Sequence, residues 1–166
     1  MTATGTDTHE HDISITVASR ADLPEVLRVQ RAAFARVAAA LDIPADRLPP
    51  LRETLADLER LHDTGFRFLV ARNDDRLLGT VRAEQRPDGV VEVGRLAVDD
   101  GQQRRGIGSA LMHSLEDSYP QARRFELFTG AEASEPLALY VKLGYALFRE
   151  EVLHDVRLVW LAKDRD

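Results

Sequence analysis

The chain has no cysteine among its 166 residues, which excludes disulfides, thiol nucleophiles and zinc–thiolate sites outright. A cysteine-free composition fits a reducing compartment, so the default address is the cytoplasm. Long apolar runs are also missing: no stretch approaches the roughly 20 residues that a membrane span requires, and no membrane partner is expected. Basic residues are outnumbered, 22 Lys and Arg against 28 Asp and Glu, for a formal net charge of −6. That balance argues against general nucleic-acid binding and is compatible with a cationic small substrate. There is no internal repeat, low-complexity block or second-domain linker.

What is present is an ordinary globular composition, 44% hydrophobic and 30% charged, in a chain long enough for one domain with a real core. Met1 to Asp12 is Thr- and acid-rich without an apolar centre, so 1–12 reads as a disordered tail rather than a secretory signal. His9 and His11 flank Glu10 there, read as solvated histidines, and no metal is expected. Residues 13–166 read as a single domain. Ile13 to Ala18 is a first strand. Apolar positions from Leu23 to Leu41 recur at helical spacing, prolines 44, 49 and 50 break the pattern, and a second helix places Leu51, Leu55, Leu58 and Leu61 inward before Gly65. Three strands follow as an antiparallel meander, Phe66 to Ala71, Leu77 to Glu84 and Val90 to Val98, because the turns at Asn73-Asp74-Asp75 and Pro87-Asp88-Gly89 are too short for crossovers. A helix from Gly106 to Ser118 then leads to a strand, Arg124 to Thr129, that must run parallel to its predecessor. A helix from Ser134 to Leu143 stops at Gly144, a suitable C′ residue. Tyr145 to Ala162 reads as two strands with a turn near Glu150-Glu151. The fold class is α/β (α+β), one domain around a mixed, mostly antiparallel sheet of about seven strands in the order βααβββαβαββ.

The run Gln103-Arg104-Arg105-Gly106-Ile107-Gly108 joins the strand ending at Val98 to the helix that follows. N–H groups in a helix's first turn lack intrahelical partners and carry partial positive charge, so this junction is an anion cradle. Gly106 and Gly108 let a phosphate approach the backbone without meeting a Cβ. A P-loop would need a Gly-Lys-Ser/Thr ending, yet Ser109-Ala110 follows Gly108. A dinucleotide fingerprint would need a third glycine where Leu111 stands, and would normally sit in the first βαβ unit.

The run instead resembles the (Gln/Arg)-x-x-Gly-x-(Gly/Ala) signature of the GNAT superfamily of acyl-CoA-dependent N-acyltransferases, matched by Gln103, Gly106 and Gly108. Leu139-Tyr140-Val141-Lys142-Leu143-Gly144-Tyr145 is similar to that family's Leu-Tyr-x-x-x-Gly-(Phe/Tyr) segment, and the element order agrees from Ile13 to Leu161. The resemblance implies acetyl-CoA as cosubstrate, with a pyrophosphate held by backbone N–H groups from Arg104 through Arg105, Gly106, Ile107 and Gly108 to Ser109. It implies a sheet splayed between its fourth and fifth strands, with Leu96-Ala97-Val98 pairing with the pantetheine arm and the Leu96 N–H polarising the thioester carbonyl. Tyr140 matches the family's acid for the departing thiolate, and Glu92 matches the glutamate base of the histone-acetylating branch. Glu126, on the adjacent strand, is the fallback base. A bulge allowed by Gly94 would change which residues share the face of Glu92.

Many members carry an asparagine before the tyrosine helix. This chain has Ala133-Ser134-Glu135-Pro136 there, with Ser134 suited to cap the helix. Arg95 reads as one half of a surface ion pair. The acceptor, a small-molecule or peptide amine, is implied to bind between about Phe34 to Leu55, including Asp42 and Asp46, and the turn before His154-Asp155, with His154 itself read as a strand-surface residue. Without a cysteine to carry the acyl group, transfer within a ternary complex is expected. The other classes are a non-catalytic acyl-CoA sensor and a nucleotide-phosphate binder. A homodimer is compatible with apolar residues on the first helices and last strands.

Overall fold

The computed structural model describes residues 13–103 and 105–165. The tail reading for 1–12 and the role expected of Arg104 therefore lie outside the described residues. The chain opens with β1 (Ser14–Val17), then α1 (Leu23–Ala40), the short α2 (Pro49–Arg52) and α3 (Leu55–Asp63). A meander of β2 (Arg67–Asn73), β3 (Arg76–Gln85) and β4 (Val90–Val98) follows. Next come α4 (Ile107–Asp117), β5 (Arg124–Gly130), α5 (Ser134–Lys142), β6 (Ala146–Leu153) and β7 (Val156–Asp164). One seven-stranded sheet results, ordered β1-β2-β3-β4-β5-β7-β6. β4 and β5 run parallel, and the other neighbours run antiparallel. No helix among the described residues is long and apolar enough to cross a membrane.

Alternation along the strands sends apolar side chains to both faces. On one face Phe68, Val70 and Leu77 pack with Leu23, Val26 and Leu58 from α1 and α3. On the other, Val81, Val91, Val93, Phe125 and Leu127 pack with Leu111, Met112 and Leu115 of α4 and with Tyr140 of α5. Fully burying each such side chain stabilises by about 1.5–3 kcal/mol, so both helical layers are held against the sheet.

The β4–β5 pairing positions the site. These strands are in register only at Val90↔Arg124, Val91↔Phe125 and Glu92↔Glu126. Beyond that point β4 runs on to Val98 and β5 to Gly130 without pairing, which opens the expected splay. β4 also bulges. Thr80 pairs with Ala97 and Arg82 with Gly94, so Arg95 and Leu96 together oppose Val81. Gly94 permitted a bulge in the sequence reading, but the left-handed residue is its neighbour Arg95, at φ 56°.

Three local readings change. The second helix is two helices, interrupted at Glu53 and Thr54, which are extended (ψ 138° and 168°). Thr54 starts α3 through a capping box, its hydroxyl accepting from the Asp57 N–H while the Asp57 carboxylate accepts from the Thr54 N–H. Leu55 is consequently 36% exposed rather than inward. The last hairpin turns at His154 and Asp155, with φ 50° and 65°, while Glu150 and Glu151 stay within β6. Two successive positive φ values match a tight hairpin turn, and Asp tolerates that conformation. Ser134 is the first residue of α5 and Ala133 its N-cap. The C-terminus of α5 follows expectation: Gly144 is at φ 98°, and the N–H groups of Gly144 and Tyr145 donate to the carbonyls of Val141 and Tyr140 in a Schellman motif.

Candidate active site

Gly106 is the N-cap of α4, left-handed at φ 79°, with no side-chain cap on the helix. Among the described residues a Cβ there would meet nothing within 4 Å, so they leave the helix start open. The first intrahelical bond recorded runs from the Ala110 N–H to the Gly106 carbonyl. The N–H groups of Ile107, Gly108 and Ser109 therefore end the helix with no partner from it. Gln103 and Arg105 are exposed in the approaching turn, and Arg105 Nη1 donates to Gln102 Oε1 at 2.5 Å. Gly108 serves a second purpose beyond access. A Cβ at 108 would lie 3.2 Å from Leu139 and 3.8 Å from Leu96, so its absence lets α4, α5 and the bulge of β4 converge at the mouth of the splay. An uncapped, open helix start without an acidic first turn fits a pyrophosphate.

Upstream, buried Asp99 anchors the loop leaving β4. It accepts from Arg76 Nη2 at 3.1 Å and pairs with Arg28 at 3.5 Å. Burial would raise its carboxyl, but the hydrogen bonds from Arg76 and the Asp100 N–H, with the charges of Arg28 and Arg76, leave it below the usual range. Arg36 of α1 donates to the Val98 carbonyl at 2.8 Å and pairs with Asp100. None of these clamps was legible as a motif.

In the splay, Leu96 and Val98 are partly buried against the α4 core and Ala97 is buried on the opposite face. Tyr140 is 8% exposed, and burial pushes its phenol well above the ordinary tyrosine value, so it holds its proton. Its ring meets Tyr145 edge-on at 6.1 Å. Tyr145, 2% exposed and with no hydrogen-bond partner for its hydroxyl among the described residues, is fixed by core packing and by Lys163 over its ring.

Glu92 is half-buried, in line with Glu84 on β3 and Glu126 on β5. The Glu126 carboxylate is engaged by Arg124 at 2.9 Å and Arg86 at 3.6 Å. Val91 and Val93 face the core that holds Tyr140, so by alternation Glu92 faces the α1–α3 side. The structure thus sets Glu92 and Tyr140 on opposite faces of the sheet, flanking the start of the splay rather than touching.

A further cluster occupies the Glu92 side. The Glu53 carboxylate, drawn inward by the break between α2 and α3, accepts through Oε1 from Gln30 Nε2 at 2.8 Å, Arg95 Nε at 2.8 Å and Arg82 Nη1 at 3.2 Å. Its Oε2 accepts from Arg82 Nη2 at 2.9 Å. Burial would raise the Glu53 carboxyl, but the hydrogen bonds and charges of Arg82 and Arg95 outweigh it and hold the group below its usual range. Arg95 is paired, as expected, but the pair is half-buried rather than superficial: 19% and 15% of the two side chains are exposed. Arg52, the residue before Glu53, lines a cleft of about 330 Å³ with Asp46, Arg47, His154 and Asp155. The helix connector and the hairpin tip implied for the acceptor do meet there. His154 belongs to the tip rather than to a strand surface. Asp42, at φ 53°, is exposed after α1 and does not line the cleft.

The model of the acetyltransferase (GNAT) family matches residues 33–145, and the chain belongs to that family. UPF0157 protein YqkA of Bacillus subtilis (strain 168) is 28% identical over 131 residues, covering 73% of this chain and 37% of that protein. The chain therefore spans little more than a third of that relative's length. Among solved structures, the PaiA N-acetyltransferase of Thermoplasma acidophilum in complex with coenzyme A superposes with a TM-score of 0.80 at 18% identity, over 93% of this chain and 99% of that one. The ribosomal-protein-S18-alanine N-acetyltransferase of Escherichia coli gives 0.75 at 17% identity, over 92% and 94%. YncA of Salmonella typhimurium with acetyl-CoA gives 0.70 at 19% identity, over 93% and 94%. At these identities the superpositions establish the shared fold.

Proposed function

We propose that this protein is an acetyl-CoA-dependent N-acetyltransferase that acetylates a primary amine by direct attack within a ternary complex. The observation that carries this reading is the open, uncapped first turn of α4 at Gly106, set at the mouth of the β4–β5 splay. Backbone N–H groups from Arg105 to Ser109 hold the pyrophosphate, with Gln103 in the approaching turn. The Leu96-Ala97-Val98 edge pairs with the pantetheine arm, and the Leu96 N–H, in the bulge, polarises the thioester carbonyl.

Acetyl-CoA supplies an activated acyl group and a thiolate leaving group. Most of a typical amine with a pKa near 10 is protonated at neutral pH, so a base must take its proton. Glu92 fills that role, directly or through water, because the Glu126 carboxylate is already engaged by Arg124 and Arg86. Tyr140 keeps its phenolic proton and gives it to the departing thiolate from the other side of the sheet. Acid and base on opposite faces avoid short-circuiting each other.

The test is free-thiol release from acetyl-CoA over a panel of amines, amino acids, polyamines and peptides. Thiol release with matching acetylated product supports the reading. Binding of CoA without turnover of any amine would make the protein an acyl-CoA sensor instead.

A further inference from the structure

We infer that the acceptor is an amine that also carries a carboxylate, an amino-acid-like molecule held by the Arg95 guanidinium over Gly94; this rests on the N-acetyltransferase reading above. Glu53 is shared by two guanidiniums, Arg82 and Arg95, so the cluster keeps one unneutralised positive charge in a half-buried setting. Arg82 is anchored through both terminal nitrogens. Arg95 reaches Glu53 through Nε alone, and its two terminal nitrogens make no hydrogen bond or ion pair among the described residues. That edge is the planar fork that binds a carboxylate through two parallel hydrogen bonds.

The space for a ligand lies beside it. Gly94 pairs across the sheet with Arg82, on the face of the Glu53 cluster, and a Cβ at 94 would meet nothing within 4 Å. Glu92, two residues earlier on the same face, stands roughly 6–7 Å along the strand. A carboxylate at Arg95 and an amine toward Glu92 therefore span the open floor with matching polarity. Arg95 also holds φ 56° inside a strand, a strained conformation for a non-glycine residue of the kind that clusters at functional sites. The cleft beside Arg52 is lined by two cations, Arg47 and Arg52, and two carboxylates, Asp46 and Asp155, so it adds no net formal charge to the excess at Arg95. A diamine would set its second ammonium against that excess.

The experiment compares matched triplets, an amino acid, its carboxamide and its decarboxylated amine, in the thiol-release assay with wild type and Arg95→Gly. Glycine accommodates φ 56°, so the bulge survives, and an undiminished melting-temperature rise with CoA verifies that the variant folds. The expected result is a kcat/KM for the acids about 100-fold above that for their carboxamides, collapsing toward one in Arg95→Gly. Equal turnover of acid, carboxamide and simple amine by wild type, or a preference that persists in Arg95→Gly, overturns the inference and leaves the acetyltransferase reading standing. If no triplet is turned over, melting temperature in the presence of CoA decides. A rise with the acids that is absent in Arg95→Gly supports carboxylate recognition while removing the catalytic reading, and no rise with any acid overturns the inference.

Discussion

Around Gly106 the chain offers backbone N–H groups and empty space; around Gly94 it offers charged side chains that lock one another. Both lie along the same gap between β4 and β5. The first end makes few demands on side-chain identity, because a helix start and two glycines suffice to receive a phosphate. The second depends on particular residues brought from α1, the α2–α3 break, β3 and β4: Gln30, Glu53, Arg82 and Arg95. In the proposed function the first end takes the acyl-CoA and the second the acceptor amine.

Breaking the side-chain end should have the largest effect. Glu53→Ala leaves the buried Arg82 and the half-buried Arg95 unpaired and should destabilise the fold by about 3 kcal/mol in urea titration. A loss below about 1 kcal/mol would show that the cluster does not hold α2 to the sheet. Tyr140→Phe keeps the buried ring and removes only the proton; kcat should fall about 100-fold, with the melting temperature nearly unchanged. Unchanged turnover would dismiss the acid role.

At the backbone end, Gly106→Val puts a branched side chain at φ 79° and into the open cradle. The Kd for CoA, measured calorimetrically, should rise about 10- to 100-fold, equivalent to about 1.4–2.8 kcal/mol. Thr54→Ala should cost only about 1 kcal/mol of stability through loss of the α3 cap, as read from the urea midpoint. The smallest effect is with pH. Glu53 and Asp99 have folded values below their unfolded ones, about 4.5 and 3.8, so their stabilisation is present above those values and lost as pH falls through the lowered ones. The melting temperature should hold from neutrality to about pH 5 and drop below about pH 4, with a shallower drop in Glu53→Gln.

The same contrast decides what the sequence disclosed. The strand–turn–helix junction, the single parallel pair and the Gly144 stop are written in local patterns of periodicity, turn residues and glycine. The splay followed from family resemblance and appears as the loss of β4–β5 pairing beyond Glu92 and Glu126. Glu53 was not legible. It stands between Arg52 and Thr54 in a stretch whose leucines keep helical spacing, and its partners Arg82 and Arg95 are 29 and 42 residues away. The Thr54-to-Asp57 spacing was the available hint, since a capping box starts a helix rather than continuing one. The His154-Asp155 turn was missed because it lacks the glycine that usually marks a tight hairpin.

The central claim is that the Gly106 turn receives CoA. The measurement that tests it most directly is the melting temperature of wild type and Gly106→Val with and without saturating CoA or acetyl-CoA. At 100 times Kd a ligand bound only by the folded state stabilises by about 2.7 kcal/mol, so wild type should shift by several degrees and Gly106→Val by much less. No shift of wild type with either ligand would contradict the account.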